Sequence, residues 1–158
     1  MKRALIIGFG SEIRGDDAFG PQIAYQLEDL VHPAIQVDTC QGLTPDIALT
    51  MSEMDLVIFI DCAVGHEPGV INHKEIHTSD DKSLSMVHFL SPESLMTWCG
   101  SLYGKLPEAH VFTVTGKCYE ISDSLTDPVQ QAVPRVIEQV LNLLDEHGLS
   151  NREVLSHA

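Results

Sequence analysis

Basic residues are scarce in this 158-residue chain, in which 9 lysines and arginines stand against 23 aspartates and glutamates for a formal net charge of −14. That surplus repels phosphate backbones and anionic lipid surfaces, so neither nucleic acid nor a membrane is expected as a partner, and self-repulsion favours a monomer. Long apolar runs are missing too, with nothing near the roughly 18 residues needed to span a bilayer. The first ten residues carry two basic residues and a short apolar run, but the run ends in a glycine turn with no small-residue cleavage site behind it. No signal peptide is expected, and the location expected is cytoplasmic. The four cysteines, Cys40, Cys62, Cys99 and Cys118, lie far apart and form no C-x-x-C pair. This leaves out a zinc knuckle and a thioredoxin-type motif, and predicts reduced thiols.

What is present is the composition of an ordinary globular protein, 44% apolar and 20% charged. The length suits one domain that buries roughly two-thirds of its unfolded surface. Short β-branched runs alternate with segments of helical period, which predicts a three-layer α/β/α single domain around a mostly parallel five-stranded sheet. The strands are expected at 4–7, 35–39, 56–60, 70–76 and 110–115. The fourth is a shorter edge strand open to antiparallel pairing, because too few residues precede it for a crossover helix. Helices are expected at 20–30, from a Thr44 cap to 51, at 92–103 after a Ser91 cap, and from Asp127-Pro128 to a stop at Gly148, with Pro134 inside the last. The segment 78–86 reads as a polar loop. The domain spans 1–149 and the tail 150–158 is expected to fray.

In a sheet of this kind ligands bind beyond the carboxyl ends of the strands, where loops and helix N-termini converge. The first strand leads through Gly8-Phe9-Gly10-Ser11 to Asp16-Asp17, the second ends at Asp38-Thr39-Cys40, and the third delivers Asp61-Cys62. Carboxylates from three strands gathered at one edge repel one another unless a cation or proton intervenes, which predicts a metal ion or a raised carboxyl pKa. His88, shortly before the Ser91-Pro92-Glu93 helix start, offers a nitrogen ligand. Two carboxylates and an imidazole suit nickel or zinc better than calcium, which takes more oxygens.

Plainer readings stand beside these. Asp17 serves equally well as a helix N-cap, and Asp38 as the residue that holds the Gly42 turn through backbone N–H groups. Asp61, directly after five apolar residues, lies too near the core to be only a surface charge. His88 competes with His66, His73 and His77 for the same region, and Cys40 and Cys62 read as small buried apolar residues. The Gly8-x-Gly10 element is not a dinucleotide fingerprint, since Ile13 stands where the third glycine is required and Gly15 comes two residues late. Gly116-Lys117-Cys118 makes no P-loop, and no G-x-S-x-G elbow is present.

The run Gly8-Phe9-Gly10-Ser11-Glu12-Ile13-Arg14-Gly15-Asp16-Asp17-Ala18-Phe19-Gly20 resembles the signature of the hydrogenase maturation endopeptidases: G-x-G-N, a short spacer, then D-[DE]-[GA]-x-G. Asp38 with Gly42-Leu43-Thr44 is similar to that family's second-strand aspartate and glycine turn, and Asp61 with Pro68-Gly69 to its third-strand aspartate and P-G turn. His88 stands where the family has a histidine, and Tyr119-Glu120-Ile121 with Leu125-Thr126-Asp127-Pro128-Val129 resembles its closing stretch. The resemblance covers about residues 3–145 and departs from the pattern at Ser11, which replaces an asparagine, and at Lys117-Cys118. It implies a nickel-dependent endopeptidase that removes a C-terminal extension from the large-subunit precursor of a nickel-iron hydrogenase after nickel insertion. Asp17, Asp61 and His88 would bind the nickel, with Gly10, Asp16, Asp38 and Gly42 shaping the supporting loops. The nickel would arrive with the substrate, and zinc or cadmium would substitute in vitro. The rival is a non-catalytic nickel-binding or docking chaperone using the same sheet edge, which differs in having no turnover.

Overall fold

The computed structural model describes residues 2–78 and 90–149. His88, the expected loop beyond Thr78 and the tail 150–158 lie outside the described residues. Five strands, β1 (Ala4–Phe9), β2 (Gln36–Cys40), β3 (Leu56–Ala63), β4 (Ile71–Ile76) and β5 (Glu108–Thr115), form one sheet in the order β2-β1-β3-β5-β4. All pairs are parallel except β4 with β5. The antiparallel edge follows from the short link out of β3, which leaves no room for a crossover.

The continuous apolar runs of β1 and β3 are explained by helices on both faces. Ile6, Ile58 and Phe112 face α1 (Phe19–Glu28) and α4 (Asp127–Glu146). Leu5, Ile7, Val57 and Phe59 face α2 (Ile47–Ser52) and α3 (Pro92–Tyr103). α3 has the expected bounds: the Ser94 N–H donates to the Ser91 hydroxyl at 3.1 Å, Pro92 fills the first turn, and Gly104 ends the helix at φ +66°. Among the described residues no helix is long and apolar enough to cross a membrane.

Several boundaries move, each for a reason outside the local sequence. β3 runs on to Ala63 because β5 keeps pairing with it, Asp61 opposite Thr113 and Ala63 opposite Thr115, so Asp61 lies within a strand. β5 starts two residues early, at Glu108 opposite Leu56. α2 begins only at Ile47, since the Thr44 hydroxyl donates to the Asp46 carboxylate in place of capping the helix. Asp16 and Asp17 belong to a separate 3-10 turn, Gly15–Ala18, ahead of α1.

α1 lies unusually close to the sheet. A Cβ on Gly20 would fall 2.4 Å from the Ile60 carbonyl oxygen and 2.6 Å from that of Phe9, and one on Gly8 would fall 2.0 Å from the Gly20 oxygen. Both obstacles are backbone, which cannot swing aside as a side chain can. Gly20→Ala is therefore expected to lift the start of α1 and cost roughly 3 kcal/mol of stability by overpacking. Urea unfolding of the variant checks this; an unchanged midpoint would refute the close approach.

Candidate active site

β1 hands the chain to α1 and then to β2 on one side, whereas β3 hands it to the opposite side of the sheet. The crevice at the carboxyl ends of β1 and β3 is thus a topological switch point, the place where such sheets bind ligands. Asp17 reaches it from the loop after β1, and Asp61 from the end of β3.

The two adjacent aspartates of the loop have opposite fates. Asp16 is fully buried. One carboxylate oxygen accepts from the N–H groups of Lys117 at 2.7 Å and Cys118 at 3.1 Å and from the Thr126 hydroxyl at 2.7 Å. The other accepts from the Thr126 N–H at 2.7 Å. Burial pushes the Asp16 carboxyl upward, but these donors from Lys117, Thr126 and Cys118 outweigh it and hold the group below its ordinary value. Around this carboxylate the Asp16 N–H donates to the Cys118 carbonyl at 3.0 Å, and the Gly15 N–H to that of Ser122 at 3.2 Å. Asp16 thereby ties the loop after β1 to the loop after β5.

Asp17 is half-buried, and its carboxylate accepts from the Ser11 N–H at 2.7 Å. It does not cap α1, whose preceding residue is Ala18. The fold-back of the loop depends on Gly10, which sits at φ +142° and where a Cβ would be 2.1 Å from the Asp17 carbonyl oxygen. Asp61, also half-buried, has its carboxyl pushed up to about 7 by burial; the Cys62 N–H opposes the shift and the charge of Asp17 adds to it. Asp61 is thus held back from ionising chiefly by burial and in smaller part by the charge of Asp17, a condition that a divalent cation at the switch point would relieve. Two carboxylate oxygens suit nickel or zinc as part of a mixed nitrogen and oxygen ligand set, and the expected nitrogen donor, His88, lies outside the described residues.

A cavity of about 280 Å³ opens beside Asp61 and Phe9, with Thr113 behind and Lys74 and Glu93 at its wall. Lys74 Nζ and a Glu93 carboxylate oxygen are 3.3 Å apart. A second cavity, about 330 Å³, lies between Gly10-Ser11 and the end of β2 at Thr39-Cys40. Asp38 does not join the site: it lies inside β2 opposite Ile7, is exposed, and accepts from Gln36 Nε2 at 2.8 Å. Gly42 is buried, and its neighbour Leu43 accepts from the Leu90 N–H at 3.1 Å, which anchors the chain just ahead of α3. Among the competing histidines, His73 turns toward His110 and Phe112, His77 lies 3.7 Å from Glu75, and His66 is exposed in the turn after β3. Cys62 is buried, 3.7 Å from the Tyr119 hydroxyl, and its thiol is pushed up to about 12, chiefly by burial. Cys40 is half-buried, and no cysteine is disulfide-bonded. The sequence alone did not reveal Thr113 and Lys74, which strand register places there, Glu93, which comes from the first turn of α3, or the role of Asp16.

Asp16→Asn replaces an acceptor-only group by one whose amide donors meet the N–H groups already pointing at it. The expected loss is about 3 kcal/mol, since buried donors lose a charged acceptor. Urea unfolding measures it, and a loss under about 0.5 kcal/mol, the range of an ordinary surface substitution, would contradict the role assigned to Asp16.

No family model matches the sequence, and no curated protein does. Solved structures do match the fold. The hydrogenase maturating endopeptidase HybD from E. coli aligns with a TM-score of 0.75 at 21% identity, over 94% of this chain and 95% of that one. The [NiFe] hydrogenase maturation protease HycI from Thermococcus kodakarensis gives 0.70 at 22% identity, over 91% and 93%. The hydrogenase 2 maturation peptidase from a Thaumarchaeota archaeon gives 0.67 at 24% identity, over 94% and 100%. The chain thus has the fold of the hydrogenase maturation endopeptidases along nearly its whole length.

Proposed function

We propose that this chain is a peptidase that cleaves the C-terminal extension from the large-subunit precursor of a nickel-iron hydrogenase after nickel insertion. In this reading it acts in the cytoplasm as a monomer and recognises nickel carried by its substrate. The observation that supports it most is the Asp17–Asp61 pair at the switch point, on a fold shared with proteins named as hydrogenase maturation proteases. Asp17, Asp61 and His88 are the proposed ligands. His88 stands two residues before Leu90, which is bonded to Leu43, and Pro92 lines the Asp61 cavity.

Carried in by the substrate and held by these ligands, nickel would supply a Lewis acid for the scissile carbonyl or a water molecule. The chain's own part is positional. The Ser11 N–H holds the Asp17 carboxylate in one orientation, and the sheet holds Asp61. The cavity beside Asp61 seats the precursor's C-terminal segment near the carboxylates. An acidic residue takes a proton from water, whose oxygen adds to the carbonyl carbon; the C–N bond then breaks and the leaving amine gains the proton. Glu93, which lines the same cavity and pairs with Lys74, is the acid proposed for that role. A pair of carboxylates that needs a cation to complete it leaves an unloaded precursor weakly held.

Intact-mass analysis of a nickel-loaded precursor tests the reading. Wild-type protein is expected to release one C-terminal fragment. Asp17→Asn and Asp61→Asn should slow release by about 100-fold or more, the scale reached when even outer-shell partners of a metal are lost, with unchanged melting temperatures. Processing at the normal rate by either variant would sink the ligand assignment. Binding by the wild type without any shortening would favour a docking or nickel-chaperone role.

A further inference from the structure

A cluster of side chains of metal-ligating type, Glu108, His110 and His147, lies at the other end of the sheet. Glu108 and His110 project from the same face of β5, two residues apart, and His147 follows the last residue of α4. Among the described residues, their three ligand atoms lie within 4.8 Å of one another. One Glu108 carboxylate oxygen is 2.8 Å from His110 Nε2 and 2.6 Å from His147 Nε2. Glu108 pairs with Leu56 and Thr113 with Asp61, so the cluster is five residues along the ladder from Asp61, roughly 16 Å away.

The outer nitrogens explain what the inner ones are set up to do. His147 Nδ1 lies 2.8 Å from the Leu143 carbonyl, which only accepts, so Nδ1 carries the proton. In a neutral imidazole this leaves the Nε2 lone pair aimed at a carboxylate oxygen, and only a proton or a metal cation between them makes that contact favourable. His110 Nδ1 is bonded in turn to His73 Nε2 at 2.9 Å, and His73 stacks on Phe112 at a ring separation of 4.1 Å. Both inner imidazoles thus have the second hydrogen bond that orients metal-ligating histidines, and at His147 it also fixes the tautomer. The side chains of His110 and His147 are 9% and 15% exposed, whereas that of Glu108 is 41% exposed, so the imidazoles form a shielded floor beneath a carboxylate at the mouth. Glu75 is the next oxygen, 3.9 Å from His110 Nε2.

We propose that Glu108, His110 and His147 form a binding site for a borderline divalent ion such as zinc, distinct from the Asp17–Asp61 crevice. Two imidazole nitrogens and one carboxylate oxygen make the donor set, with Glu75 or water in the fourth position. Metal bonds of about 2.0–2.1 Å at tetrahedral angles place donors about 3.3 Å apart, so the half-exposed Glu108 swings outward by roughly half an ångström on binding. The ion staples the end of α4 to the start of β5. This inference does not rest on the proposed peptidase activity.

Zinc titration calorimetry of the full chain, stripped with chelator at neutral pH, tests the site. The Asp17→Asn/Asp61→Asn double variant serves as the background, to silence the crevice. One zinc per chain and a raised melting temperature are expected. Adding His147→Gln should weaken binding by at least 100-fold and abolish the rise. Should His147→Gln disturb the helix by circular dichroism, Glu108→Gln, on an exposed side chain, is expected to give the same loss. No zinc uptake by the double variant, or uptake undiminished by both added substitutions, would overturn the proposal.

Discussion

A carboxylate without access to water must find its donors inside the protein, and Asp16 finds them in Lys117, Cys118 and Thr126. This side chain, with the backbone hydrogen bonds around it, ties the loop after β1 to the loop after β5. Thr126, the residue ahead of α4, contributes both its N–H and its hydroxyl, so the same carboxylate fixes where α4 begins. Such a group contributes only while every donor is in place, because the desolvation of a buried charge is repaid by complete hydrogen bonding and by nothing less. Asp16 therefore sets the shape of the crevice without entering it.

With Asp16 turned inward, its neighbour must turn out. The tight 3-10 turn and the fold-back at Gly10 bring Asp17 under the Ser11 N–H and within electrostatic reach of Asp61. Among the described residues neither carboxylate takes part in a salt bridge. A structural ion pair would set a lysine or arginine against them, whereas Lys74, in the wall of the same cavity, pairs with Glu93. The two carboxylates instead leave a place for a cation from outside, and their position beside a cavity at the switch point is where an incoming peptide would meet it.

Local signals in the sequence placed the elements whose ends are decided locally. Ser91, Pro92 and Gly104 bound α3 through capping and backbone freedom, and its limits agree with expectation. Expectation failed where distant residues decide. The extension of β3 through Asp61 depends on its pairing with β5, and the role of Asp16 depends on donors 101 to 110 residues away. Two adjacent aspartates are indistinguishable by residue type; the resemblance to a family motif separated them. Asp38 is expected at the same sheet edge as Asp61, or as the residue that holds the Gly42 turn; β2, however, is an edge strand whose residues are exposed or half-buried, so its carboxylate meets solvent and Gln36. The Glu108–His110–His147 cluster drew no notice in the sequence because its members come from two elements joined only by folding.

The central claim is that Asp17 and Asp61 read the metal carried by the substrate. The most direct measurement compares wild-type protein with one precursor in two states, nickel-loaded and nickel-depleted, following both binding and intact mass. The account predicts at least tenfold tighter binding of the loaded form, equivalent to about 1.4 kcal/mol, and cleavage of that form alone. Equal binding and equal cleavage of both forms would contradict it.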